Sequence, residues 1–205
     1  MKIIWHGHAC FEVVTDEGSI VFDPYADGAL SGLKLPTLYA DAVICSHGHS
    51  DHNGADKVVL SGKAPTFEIT QLNTWHDECG GNKRGNNLIT VISAEGLRLA
   101  HFGDLGHELS KEQLSALGRI DILMIPVGGV YTVDAVTAKR VAESVSPTMI
   151  IPMHYRGCGG GLKNIASCDE FTGLFTENMV QYLKNNELIV TKPVTPSVTV
   201  FAWRK

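Results

Sequence analysis

Three imidazoles and a carboxylate fall within six residues, His47-Gly48-His49-Ser50-Asp51-His52, directly behind the apolar run Ala42-Val43-Ile44-Cys45-Ser46. No other segment constrains the chain as much. The apolar run reads as a buried strand, so the four donor side chains arrive together at a strand end. Neutral imidazole nitrogens and carboxylate oxygens bind divalent ions such as zinc at about 2.0–2.2 Å. His47 and His49 lie two residues apart, and from an extended turn both can point at one ion. Asp51 and His52 lie just beyond and can hold a second ion. Gly48 and Ser50 are small enough for the turn to fold tightly around the ions. A fold that uses this cluster must bring further donors to it from elsewhere in the chain.

The further donors stand at the ends of other apolar runs. Asp104 ends a strand-like run and lies between glycines in Phe102-Gly103-Asp104-Leu105-Gly106-His107. His154 ends Ile150-Ile151-Pro152-Met153, and His76 follows Asn73-Thr74-Trp75. Nine histidines in 205 residues also supply His6, His8, His101 and His107. Donor type and strand position alone leave His76 and His101 both open as ligands.

The rest of the sequence predicts a layered α/β (α+β) domain spanning residues 1–205. Strands are expected at Ile3–Trp5, Cys10–Thr15, Ile20–Asp23, Ala42–Ser46, Thr66–Thr70, Leu88–Ser93, Leu97–Phe102, Ile122–Pro126, Met149–Pro152, Leu188–Val190 and Ser197–Trp203. Ala94-Glu95-Gly96 reads as the turn of a hairpin. Helices are expected at Ser110–Leu117, where Ser110 and Gln113 have capping-box spacing, at Asp134–Val145, and at Cys168–Lys184, with a short one at Gly54–Leu60. Hydrophobic residues at 44% supply a core without staples. The net charge of -5 argues against broad nucleic-acid binding. No apolar run approaches the roughly 18 residues of a membrane span. Five widely spaced cysteines without a C-x-x-C, and no secretory signal pattern, point to a reducing cytoplasmic location.

The ordered set formed by His47-x-His49-x-Asp51-His52, His76, Gly103-Asp104 and His154 resembles the metallo-β-lactamase superfamily over nearly the whole chain. Gly7-His8-Ala9-Cys10-Phe11 and Phe22-Asp23-Pro24 are most similar to its branch of small metal-dependent hydrolases related to ascorbate-6-phosphate lactonase. The resemblance implies a four-layer αββα sandwich with a binuclear metal site at one edge. By motif match, His47, His49 and His76 hold the first ion. Asp51, His52 and His154 hold the second, and Asp104 bridges. His101 is three residues from Asp104, an odd offset that turns it to the other face of a strand, which favours His76. Zinc is the default metal, while a nitrogen and oxygen donor set also accepts manganese or iron.

Such a site implies hydrolysis by a metal-activated hydroxide of a small, anionic ester, lactone or phosphate-bearing substrate, with Asp51 and Asp104 as catalytic carboxylates. Asp23 is placed to accept a hydrogen from a ligand imidazole. His8 and His107 are candidates to flank the open face and contact substrate. The glycine-rich loops after His76 and His154 carry Arg84, Arg156 and Lys163, which can hold an anionic group. A phosphodiesterase or nuclease of the same fold, and a metal-binding protein without turnover, are the alternatives. The position of Asp104 is taken by cysteine in some antibiotic-degrading members, so that activity is not expected here. Assembly into a homo-oligomer is left open.

Overall fold

The computed structural model describes residues 1–157 and 159–203; Cys158, Arg204 and Lys205, the first of them in the expected anion loop after His154, lie outside the described residues. Strand β1 (Lys2–Gly7), β2 (Cys10–Thr15) and β3 (Gly18–Phe22) form an antiparallel meander. β4 (Leu38–Ala40) is followed by β5 (Ala42–Ile44), which lies parallel to β3 with Phe22 opposite Ile44. β6 (Val58–Leu60) pairs with β4 as a separate two-stranded sheet. β7 (Glu68–Trp75), β8 (Asn86–Ala94) and β9 (Leu97–His101) are again antiparallel. Helix α1 (Lys111–Leu117), β10 (Ile122–Pro126), α2 (Ala135–Val145) and β11 (Met149–Met153) come next. The chain closes with α3 (Cys168–Thr172), β12 (Val180–Tyr182), β13 (Glu187–Ile189) and β14 (Ser197–Val200).

Besides the β4–β6 pair, two larger sheets result, ordered β13-β1-β2-β3-β5 and β12-β14-β11-β10-β9-β8-β7. Their facing surfaces enclose one core. Ile3, Trp5, Phe11, Ile20 and Phe22 of the first sheet meet Leu97, Leu99, Ile122, Met124, Ile151 and Met153 of the second. The alternation along β1 accounts for its share, because Ile3 and Trp5 point inward while Lys2 and Ile4 are half-buried. β10 is buried at every position because helices cover its other face. There Leu123 and Ile125 pack with Leu117 of α1 and with Ala138, Val141 and Ala142 of α2. The outermost layer on the first sheet holds no α-helix among the described residues. It consists of irregular chain carrying Tyr25, Leu30, Leu33 and Leu35, together with the β4–β6 pair.

Local sequence rules account for the helix ends. Ser110 makes the expected capping box with Gln113, and Asp134 caps α2 by accepting from the amide of Thr137. Ala94 pairs with Leu97 across a two-residue turn in which Glu95 and Gly96 both take positive φ, 53° and 68°. The helix expected over Cys168–Lys184 needs correction. It stops at Thr172, and Gly173 donates its amide back to the Asp169 carbonyl. Phe171, Leu174 and Phe175 still reach the helical core, but Val180–Tyr182 leaves to pair with β14 as an edge strand. Backbone pairing at a sheet edge has overridden helical spacing. The short helix expected at Gly54–Leu60 is a 3-10 turn, Ala55–Lys57, that runs straight into β6.

The register aims the chain at one place. β1, β3 and β5 share one direction, and β7, β9, β10 and β11 share one direction in the second sheet. His8 follows the end of β1, Asp23 the end of β3, and His47–His52 the end of β5. His76 follows β7, Asp104 lies just beyond β9, and His154 follows β11. Functional groups gathered beyond the carboxyl ends of parallel strands are the usual placement in such sheets.

Candidate metal centre

Asp104 sits at the middle of four imidazoles. Its Oδ2 lies 3.1 Å from His154 Nε2, 3.3 Å from His76 Nε2 and 3.9 Å from His47 Nε2, and its Oδ1 lies 3.2 Å from His52 Nε2. These are close approaches, yet they leave orphans. The Nε2 atoms of His8, His47, His52 and His154 and the Oδ1 of Asp104 are buried and make no hydrogen bond. Each such buried group costs about 1–3 kcal/mol if it stays unpaired. The donors fall into sets whose ligand atoms lie within 4.8 Å of one another: His47, His49 and His76; then His8, Asp51, His52 and His154; then His47, His52 and Asp104 joining the two. A divalent ion in either of the first two sets would give their orphaned imidazole nitrogens a partner, so these residues fit the metal that the motif implies.

Their protonation agrees. Burial pushes the pKa of His8 and of His47 down to about 3 and lowers that of His76, which leaves their lone pairs free for a metal. Burial also disfavours the charged forms of Asp104 and Asp51. The neighbouring histidines outweigh it, and both carboxyls lie below the usual range. His52 is the exception: burial opposes its charge, but Asp104 and Asp23 raise its pKa well above 6.5.

A surrounding layer of polar groups orients these side chains. Asp23 is fully buried and accepts from His52 Nδ1 at 2.7 Å, from the Ser46 amide at 2.6 Å and from Ser46 Oγ at 2.6 Å. Ser46 Oγ also lies 2.9 Å from His47 Nδ1. Asn87 receives the Asp104 amide at 2.8 Å and donates to the Phe102 carbonyl and to Thr74 Oγ1. Gly103, at φ 54°, has no room for a Cβ, which would strike Asn87 Oδ1 and Ser46. Three site residues that are not glycine also take left-handed backbone: His8 at 54°, Asp23 at 45° and His154 at 52°. Each costs about 1–3 kcal/mol and re-aims a side chain just past its strand.

A cavity of about 330 Å³ opens over the cluster, lined by His49, Asp51, His76 and Asp104 on one side and by Arg84, Tyr131 and Leu162 on the other. Arg84 donates Nη2 to the Val130 carbonyl at 2.9 Å, and its guanidinium lies 5.7 Å from the centre of the Tyr131 ring. The Tyr131 hydroxyl accepts from Asn164 at 2.7 Å. Asp77, next to His76, builds the loop that carries Arg84. Its carboxylate accepts the amides of Cys79, Gly81, Lys83 and Arg84 at 2.8–2.9 Å. Burial opposes the Asp77 charge, yet these four amides hold its pKa well below 3.8.

Other expected residues lie elsewhere. His107 bridges its turn to the end of β7, accepting from the Trp75 amide at 3.1 Å and donating to the neighbouring Glu108 carbonyl at 2.7 Å. Arg156 and Lys163 are exposed and do not line the cavity. His101 is buried away from the cluster, stacked on Phe22, with Nε2 2.9 Å from the Ala9 carbonyl and Nδ1 accepting from the Gly103 amide. Sequence reasoning does not single out Asp77, Asn87, Tyr131 or Leu162. Asp77 alone carries a local signal, an acidic residue at the head of a glycine-rich turn.

Residues 2–154 match the family described as Beta-lactamase superfamily domain. The chain belongs to the metallo-β-lactamase superfamily, among its metal-dependent hydrolases. A UPF0173 metal-dependent hydrolase of Thermoplasma acidophilum is 31% identical over 188 residues, covering 76% of this chain and 83% of that protein. A Thermotoga maritima crystal structure, described as a Zn-dependent hydrolase of the metallo-β-lactamase superfamily, superposes with a TM-score of 0.77 at 32% identity. The match covers 98% of this chain and 97% of that one. Igni18, a metallo hydrolase from Ignicoccus hospitalis, shares the fold at 20% identity with a TM-score of 0.64, over 84% of this chain and 89% of its own. In this superfamily member the sandwich edge and the histidine cluster coincide.

Proposed function

We propose that the protein is a binuclear metal-dependent hydrolase acting on a small, anionic ester, lactone or phosphate-bearing substrate. One observation carries the reading: two donor sets lie side by side with Asp104 between them, and the buried Nε2 atoms of His8, His47, His52 and His154 have no hydrogen-bond partner. His47, His49 and His76 would hold one ion, Asp51, His52 and His154 the other, with Asp104 facing both. Zinc suits these donors best, and manganese or iron is accommodated by the same set. Metal bound there supplies Lewis acidity toward a carbonyl or phosphoryl oxygen and brings the pKa of water toward neutrality.

The chain's own residues do the rest. Asp51 is half-buried at the cavity wall, ionised, and placed to accept a hydrogen bond from the attacking water. Asp104 is held at the cavity floor by Asn87. Arg84 faces the cavity with no carboxylate within 4 Å among the described residues and binds the negative group of the substrate. Tyr131 and Leu162 supply apolar wall. The volume, about 330 Å³, lies at the small end for ligand sites. Arg84 is the one cation lining it among the described residues, which favours a small molecule over a polynucleotide track. The four described cysteines are unpaired, which suits a reducing cytoplasm.

The test is turnover by zinc- or manganese-loaded protein on matched pairs of esters and lactones, each pair with and without a carboxylate or phosphate group. The anionic member is expected to show at least about tenfold higher kcat/KM, the effect of one charge-assisted contact. Protein carrying two ions that turns over no member of the panel would contradict the reading.

A further inference from the structure

We propose that His8 is a further protein ligand at the inner metal position, beside Asp51, His52 and His154, so that this position is enclosed while the other stays open to substrate. The inference rests on the binuclear reading above and deepens it.

His8 occupies the turn after β1 and is only 4% exposed. Its ring centroid lies 4.0 Å from that of His154 and 5.2 Å from that of His52. Its Nε2 stands 3.4 Å from Asp51 Oδ2 without forming a hydrogen bond. Neighbouring donors of one ion, each at about 2.1 Å, would stand roughly 3.0–3.6 Å apart, so this spacing is that of neighbouring ligands. A histidine kept for packing has its ring nitrogens engaged, as His101 does with Ala9 and Gly103. His8 instead turns Nε2 into the donor cluster. Its backbone is fixed for this purpose. The His8 carbonyl accepts from Trp5 Nε1 at 3.1 Å and from the His154 amide at 3.3 Å, which ties its turn to that of His154. The left-handed φ of 54° is a strained conformation that a free surface turn would give to glycine or asparagine.

The two positions then differ. His8, His52 and His154 are absent from the cavity lining, which Asp51 alone of the inner four reaches, whereas His49 and His76 of the outer set are part of it and His47 is not. The inner position has its four donors and Asp104. The outer has His47, His49, His76 and Asp104, and meets the substrate. An enclosed site with more protein donors holds its ion more tightly and exchanges it more slowly.

The test uses the full chain with His8→Asn, which tolerates left-handed backbone, and His8→Gln. Apo-protein thermal unfolding checks the fold. Wild type is expected to bind two zinc ions, one of them resistant to chelator. In both variants the resistant ion is expected to lose about 10–100-fold in affinity. The visible spectrum of the cobalt form is expected to change as the inner ion loses a donor. Independently of any variant, wild-type protein loaded with an NMR-active cadmium isotope is expected to show scalar coupling from the metal to a labelled ring nitrogen of His8. Folded variants that keep both ions with unchanged chelator resistance and cobalt spectrum would overturn the assignment of His8, as would missing cadmium coupling to His8 when His154 shows it. Wild type that binds fewer than two ions would instead remove the binuclear reading, and this inference with it.

Discussion

Asp23 Oδ2 accepts the Nδ1–H of His52 across 2.7 Å, with both side chains fully buried. The bond fixes the ring so that Nε2 points at Asp104. The parallel register of β3 on β5 makes it possible, because Phe22 opposite Ile44 brings the residue after β3 beside the turn after β5. Asp23→Asn keeps the shape but replaces an acceptor-only oxygen with an amide. It is expected to lower affinity for the ion held by His52 by about 10–100-fold. It also breaks a buried hydrogen-bonded pair, with a cost of about 3 kcal/mol to the apo protein. Chelator competition and denaturant unfolding read the two effects separately, and unchanged metal retention would contradict the orienting role.

The Asp77 carboxylate holds the Arg84 loop through four backbone amides, and this makes its effect pH-dependent. Its folded pKa is depressed below 3.8. The unfolded state therefore binds the proton more readily, and the stabilisation is present above the ordinary carboxylate pKa and lost as pH falls through the folded value. Asp77→Asn is expected to lower the unfolding midpoint at pH 7, with the gap to wild type narrowing below about pH 4. Urea unfolding from neutral pH down into the acid range checks this, and a gap independent of pH would contradict it.

Arg84 is anchored by the Val130 carbonyl and the Tyr131 ring, which leaves a charged group facing the cavity. Arg84→Ala is expected to raise KM for an anionic substrate about 10–100-fold, the cost of a lost charge-assisted contact. kcat should stay within a few-fold, and neutral analogues should be unaffected. Steady-state kinetics on a charged and a neutral substrate decide it.

The strongest part of the site was legible because it is local. His47, His49, Asp51 and His52 are neighbours in sequence and need only one strand end to present them. Asp104, His76 and His154 were legible as strand-end donors, since the end of a buried strand is where a lone polar side chain becomes accessible. The odd offset of His101 from Asp104 already set it apart from His76, but its destination was not local: His101 turns back into the sandwich to stack on Phe22, which depends on how two sheets meet. Asn87 and Tyr131 were invisible for the same reason, because an asparagine inside a strand and a tyrosine in a turn acquire roles only from neighbours distant in sequence. The overlong helix after Cys168 shows the opposite limit. Apolar spacing was real there, but Val180–Tyr182 uses it at a sheet edge.

If this histidine and aspartate cluster is a binuclear metal site with Asp104 shared between both positions, metal content must depend on Asp104. Elemental analysis of untagged protein, purified without chelator beside Asp104→Ala, measures that dependence. Close to two ions per chain are expected in wild type and fewer in the variant. A reproducible value near zero in wild type, not restored by added zinc or manganese, would contradict the binuclear site.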